Sequence, residues 1–289
     1  MSSSFWDITK RTGQQFIAKN SFTMGAALAY YAIFSIAPLV LIAIAIAGVV
    51  YGEKAAQGQI AKQIETAVGT TVAEAVQQTL ESASHGSGGT TASIVGAVLL
   101  LFGASGVFVQ LQSSLNTIWE CPANNEGGGV WGFIRGRLVS FGMVVVIGFL
   151  LLASLVVSTA ISAMSNYLAP GQTAIYQLVN QAISFVVTTV LFALIFRYMP
   201  NCPVDWENVW IGAALTSLLF LIGKYLIGLY LAHGSIASAY GAAGSLVIIL
   251  VWVYYASQIL LLGAQFTQVM AAHRREAPQS LRQPGVSPT

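Results

Sequence analysis

The last apolar run of the chain, Ser238 to Ala272, constrains its fold more than any other stretch. It reads SAYGAAGSLVIILVWVYYASQILLLGAQFTQVMAA and carries no formal charge from Ser245 to Met270. At about 1.5 Å of rise per residue, a helix of this length exceeds the roughly 30 Å hydrocarbon core of a bilayer. The run therefore predicts a transmembrane helix. Tyr254, Gln258 and Gln265 fall within about 40° of one another at 100° per residue, so they form one polar stripe on this helix. Gly241 and Gly244 precede it and form a candidate hinge, since glycine permits a tight turn or a close approach there.

Composition agrees. Charged residues make up 8% of the chain and hydrophobic ones 56%, and the mean hydropathy is +0.73, far from a soluble globular domain. A net charge of +2 gives no footprint for nucleic acid. The first apolar run begins beyond residue 20 and is too long for a cleavable signal, so it is expected to remain as an anchor.

The expected architecture is an all-α integral membrane protein of six spans, at about 24–51, 92–119, 138–164, 176–198, 209–231 and 245–270. Residues 1–23 form a polar, mildly basic lead, with Phe5, Trp6, Phe16 and Ile17 suited to the interface. Pro38 lies in the middle of the first span, where it removes a helix hydrogen bond; it is a candidate hinge or a static kink, and Ser35 can re-satisfy freed backbone. In the outer loop, 52–91, apolar residues Ile60, Ile64, Val68, Val72, Val76 and Leu80 recur every fourth position, a helical period. Gly69 is expected to split this loop into two short amphipathic helices, with Thr71 and Glu74 as a capping box for the second. They form either a gating lid or a simple cover.

In the second span Gln110, Gln112 and Asn116, with Ser113, Ser114 and Thr117, make one side polar, which implies contact with protein or water. Gly96, Gly103 and Gly106 invite close helix packing in the same span. The segment VWGFIRGRLVSF before the third span alternates aromatics and arginines as an interfacial segment does. Residues 273–289 are expected to form a disordered cytoplasmic tail.

Charge placement orients these spans. With both termini in the cytoplasm, the inside receives Lys10, Arg11, Lys19, Arg135, Arg137, Arg197, Arg274, Arg275 and Arg282, and the outside only Lys54 and Lys62. Nine against two is a positive-inside asymmetry. Cys121 and Cys202 then face the reducing cytosol, and their wide separation suggests neither a disulfide framework nor a zinc site.

Lys224 is the one basic residue left inside a span. It lies about ten residues, roughly 15 Å, below the outer end of its helix. A charge there costs roughly 3 kcal/mol on insertion scales, which marks it either as functional or as a structural lysine bonded to neighbouring helices. Its expected partner is Tyr254, then Gln258, with Gln265 too close to the inner side. Catalytic constellations are not apparent. His85, His233 and His273 are expected on different surfaces and so cannot share a metal. Asp205 and Glu207 are expected as solvated charges flanking a span. No glycine-rich phosphate loop followed by Lys occurs, and no enzyme activity and no cofactor are expected.

Several of these stretches resemble the YihY/BrkB family of bacterial inner-membrane proteins. They are AALAYYAIFSIAPL at Ala26 to Leu39, LQSSLNTIW at Leu111 to Trp119, and YGAAGSLVIILVWVYYASQILLLGAQFT at Tyr240 to Thr267. The Gly223–Lys224 pair ahead of a Tyr-bearing helix end also fits. The likeness is strongest at 26–39, 111–119, 137–152 and 223–270. Gln112 stands where this family usually carries Asp, and Gln265 where it usually carries Glu; each change keeps hydrogen bonding and removes a titratable charge. The resemblance implies a multi-pass protein of the bacterial inner membrane. The old family label, ribonuclease BN, finds no metal cluster or basic groove in these residues. The expected function is movement of a lipid or amphipathic anion through or within the bundle, with membrane lipids as partners and no nucleic acid. The alternatives are a non-transporting envelope scaffold or binding protein and, from the old family label, a membrane-associated ribonuclease.

Overall fold

The structure is a computed structural model, and it describes residues 2–35, 65, 69–84, 106–122, 173–233 and 243–280. These residues form helices and no strand. In chain order they are α1 (Ser2–Ala18), α2 (residues 21–35), α3 (Thr70–Ser84), α4 (residues 106–119), α5 (Thr173–Tyr198), α6 (Trp206–His233) and α7 (Gly244–Ser280). Three stretches are long and apolar enough to cross a bilayer: Gln181–Tyr198, Trp206–Tyr230 and Gly244–Arg275. They coincide with the last three expected spans. Of the first three, 24–51 and 92–119 are helical over 21–35 and 106–119, and 138–164 lies outside the described residues, as do Pro38 and Gly241.

Lipid tails give helices no hydrophobic reason to associate, so close packing has to do it. The seam between α6 and α7 shows how. Gly212 of α6 sits under Thr267 of α7, and Gly263 of α7 sits under Thr216 of α6; a Cβ on either glycine would lie 1.7 or 1.8 Å from the opposing Oγ1. Each threonine donates its hydroxyl back to the glycine carbonyl one turn earlier, Thr216 to Gly212 at 2.6 Å and Thr267 to Gly263 at 2.7 Å. The polar atom is thereby satisfied inside its own helix, and the methyl side is left to pack. Further along, Gly223 receives Tyr255 Oη and Ile259. The paired numbers run in opposite directions, so the two helices are antiparallel neighbours, as the short connection predicts.

An aromatic ladder crosses the bundle from α4 to α7. Trp119 meets Phe196 at 5.9 Å, Phe196 meets Phe192 at 6.2 Å, Phe192 meets Phe220 at 5.8 Å and Phe220 meets Trp252 at 6.0 Å between ring centroids. Leu111, Leu115 and Ile118 of α4 bury into the same cluster. Phe16 of α1 is buried there too, with 7% exposure. That corrects its expected place in the lipid interface, for it lies on the buried side of α1 with Thr12, while Trp6 and Ile17 stay exposed.

The cover expected from the outer loop is present in its second half. Val72, Ala75 and Val76 of α3 pack against Ile248 and Ile249 near the start of α7. Gly69 does punctuate the chain, at φ 91°, a conformation that suits glycine. Its carbonyl accepts the Ala73 N–H at 3.1 Å, so Gly69 takes the capping position expected for Thr71, which lies inside the helix. At the other end of the bundle α7 continues to Ser280, well into the stretch expected as a tail.

The cysteines overturn their expectation. Cys121 and Cys202 are joined by a disulfide, with a Cα–Cα distance of 5.4 Å across a sequence separation of 81. Separation along the chain concealed this, because α4 and α5 pack side by side and bring the end of one to the end of the other.

Candidate functional site

The polar residues singled out by sequence resolve into two junctions and, outside both, Lys224. The first junction ties the end of α4 to the turn between α5 and α6. Gln112 Nε2 donates to the Met199 carbonyl and to Asn201 Oδ1, each at 3.1 Å. The Asn201 N–H donates to Asn116 Oδ1 at 2.7 Å. Gln110 donates to Ser114 Oγ at 3.4 Å, within its own helix. The α4 terminus itself is a Schellman turn: Cys121 N–H reaches the Asn116 carbonyl at 3.0 Å and Glu120 N–H the Thr117 carbonyl at 3.4 Å, with Glu120 left-handed at φ 53°. Lys19 closes it, donating to the Ile118 carbonyl at 2.7 Å and pairing with Glu120 at 2.8 Å. A cation at a helix C-terminus is favoured by the exposed carbonyls.

The same end gathers the remaining described basic residues of the turn and of late α7. Arg197 donates to the Val204 carbonyl. Arg274 pairs with Glu207 at 3.4 Å and Arg275 with Asp205 at 3.3 Å. Asp205 and Glu207 are therefore surface charges flanking α6, as expected. Surface pairs of this kind contribute about 0–1 kcal/mol each.

The second junction joins α7 to the corner between α1 and α2. Gln258 Nε2 donates to the Phe22 carbonyl at 3.4 Å and presses on Gly25, whose Cβ position lies 2.0 Å from it. Gln265, fully buried, donates to Gln15 Oε1 at 2.6 Å and Gln268 Oε1 at 3.1 Å. Ser21 Oγ, a donor and acceptor, and the acceptors Gln258 Oε1 and Gln265 Oε1 are buried without a hydrogen-bond partner. The glutamine stripe of α7 is real, and its neighbour is the N-terminal corner of the chain, not α6.

Lys224 stands apart from both junctions. Its neighbour Gly223 is pressed into the α6–α7 seam, and one step of about 100° carries Lys224 to the flank of that seam. There it is half-buried, with Nζ 5.5 Å from the Tyr225 ring centroid, a cation–π arrangement. Ile222, Tyr225 and Leu226 beside it are exposed. The α7 tyrosine that meets α6 at this level is Tyr255, whereas Tyr254 belongs to the stripe side with Gln258. Among the described residues no group of three or more His, Cys, Asp or Glu is placed to hold a metal.

Sequence reasoning missed Gln15, Lys19, Asn201 and the Gly–Thr seam. The seam did leave a signal, the same G-x-x-x-T spacing at Gly212–Thr216 and Gly263–Thr267. The other three had none, because their partners lie far away along the chain.

Comparison with known proteins places the chain. A UPF0761 membrane protein of Azotobacter vinelandii is 25% identical over 268 residues, covering 91% of this chain and 62% of the relative. One of Legionella pneumophila is 26% identical over 270 residues, covering 91% and 61%. One of Verminephrobacter eiseniae is 30% identical over 176 residues, covering 60% and 40%. The chain thus spans less than two thirds of the length of these relatives. No solved structure matches. A family model described as virulence factor BrkB matches residues 12–286. The chain belongs to the BrkB family of membrane proteins.

Proposed function

We propose that this protein binds and moves a lipid, or another amphipathic molecule with an anionic group, along the flank of α6 in the bacterial inner membrane. Lys224 carries this reading. A cation at this depth and a phosphate or carboxylate make a charge-assisted hydrogen bond that is strong away from bulk water. The exposed side chains next to it, Ile222, Tyr225, Leu226 and Leu229, suit acyl chains. In this reading the end holding Lys19, Arg197, Arg274 and Arg275 faces the cytoplasm, both termini with it, because positive charge is retained on that side. No bond is made or broken, and the protein is not an enzyme.

The second reading, a scaffold that does not transport, draws on a different observation. Gln112, Asn116, Gln258 and Gln265 each bond to another part of the chain. Reconstitution separates the two readings. In vesicles carrying fluorescent anionic or zwitterionic lipid, the wild type should accelerate exchange of the anionic lipid between leaflets. Lys224→Arg should keep part of that rate and Lys224→Ala should lose it. Equal rates for Lys224→Met and wild type would remove Lys224 from the mechanism, and no acceleration by folded wild type would favour the scaffold.

A further inference from the structure

Cys121 and Cys202 bridge the end of α4 and the α5–α6 turn, and both are half-buried at the surface of the bundle. The end that holds them also holds Lys19, Arg197, Arg274 and Arg275. The cytosol keeps thiols reduced, and disulfides that form there in mesophiles are transient, catalytic or redox-sensing. We propose that Cys121 and Cys202 are a reversible thiol–disulfide switch on the cytoplasmic face, oxidised by small-molecule disulfides and reopened by cytosolic thiols. The inference rests on the inward orientation proposed above.

The surroundings of the pair suit repeated opening and closing. Neither sulfur is held only by the other. The Schellman turn and Lys19 fix Cys121 at the end of α4, and Gln112 and Asn116 hold Asn201, the residue before Cys202. These bonds are independent of the sulfur–sulfur bond. In the reduced protein they keep the two Cα atoms near the 5.4 Å seen here, inside the range a disulfide spans.

The chemistry balances through a mixed disulfide. Cys202 lies on the α5–α6 turn between the exposed Asn201 and Pro203, where a small disulfide can approach it. The Cys202 thiolate attacks one sulfur of the small disulfide and expels the other half as a thiol. The Cys121 thiolate then attacks the Cys202 sulfur, closing the bridge and expelling the second thiol. Two protein thiols lose two electrons and two protons in all, and one small disulfide becomes two thiols. The closed form locks α4 to the α5–α6 turn covalently. The open form leaves that joint to its hydrogen bonds and apolar packing.

The test uses the full chain in living cells. Cells are quenched in acid and every free thiol is tagged with a maleimide polymer that shifts gel mobility. Resting cells should show two tags per chain, cells given a permeant aromatic disulfide none, and cells washed free of it two again within minutes. Cys121→Ser should collect a mixed disulfide at Cys202. No tags in resting cells would mean a permanent bridge, and two tags throughout would mean thiols that do not pair; either overturns the switch. A membrane-impermeant maleimide applied to intact cells carrying Cys202→Ser reports the orientation separately. Labelling at Cys121 without permeabilisation would overturn the orientation along with the switch, whereas protection with two permanent tags would overturn the switch alone.

Discussion

Replacing Gly212 by alanine adds a single methyl group at the α6–α7 seam, and the structure fixes what it meets. The new Cβ would lie 1.7 Å from Thr267 Oγ1, 2.8 Å from its Cβ and 3.2 Å from its Cγ2. Thr267 has nowhere to go, being fully buried, β-branched and bonded to the Gly263 carbonyl. Relief needs either the loss of that bond or a wider seam, which would also loosen Thr216 over Gly263. Overpacking of this kind costs about 1–3 kcal/mol, a fall of roughly 5- to 150-fold in the folding equilibrium. The ordinary preference of a helix for alanine over glycine works the other way, by about 0.5–1 kcal/mol. Gly228, on the same helix, isolates that term because its added Cβ would meet nothing within 4 Å. Unfolding by denaturing detergent, followed by helical circular dichroism in mixed micelles, should therefore show Gly212→Ala destabilised and Gly228→Ala unchanged or stabilised. Adding Thr267→Ala to Gly212→Ala should recover much of the loss by removing the obstructing atoms. If Gly212→Ala and Gly228→Ala prove equally stable, the close seam is not the source of helix association here.

Two further outcomes follow from the same geometry. Glu120→Gly relieves a left-handed residue and loses the ion pair with Lys19, whereas Glu120→Ala loses the same pair and keeps the strain; the glycine variant should be more stable by about 1 kcal/mol in the same assay, and the reverse order would show that φ at this turn is of no consequence. In a background with Cys121 and Cys202 replaced by serine, a cysteine at Ser87 should react with an impermeant thiol reagent on intact cells and one at Asn125 should not, with reversed labelling inverting the orientation.

Apolar length made α5, α6 and α7 legible in the sequence, since a stretch as long and uncharged as 245–270 has few other ways to fold. Periodicity also identified the faces. Val72 and Val76 do point into the protein, and Gln258 and Gln265 do share a stripe. What periodicity cannot supply is the identity of the neighbour. Adjacency in the chain suggested that the stripe faces α6 and Lys224, but the glycines and threonines had already claimed the α6 side of α7, at an angle well away from the stripe. The stripe met the N-terminal corner instead, through a contact 250 residues apart between Gln15 and Gln265. The cysteines escaped notice for the same reason. Their pairing is a property of helix packing, and spacing along the chain carries no trace of it.

The length of α7 has a mechanical consequence. A helix from Gly244 to Ser280 is about 55 Å long at 1.5 Å per residue, well beyond the hydrocarbon thickness it crosses. One of its ends carries α3 through Ile248 and Ile249, and the other is clamped by Gln15, Asp205 and Glu207. It is a strut between the two surfaces, and the Gly–Thr contacts weld α6 to its middle. Sliding α7 by one turn would lift each threonine off its glycine, so the pair resists shear.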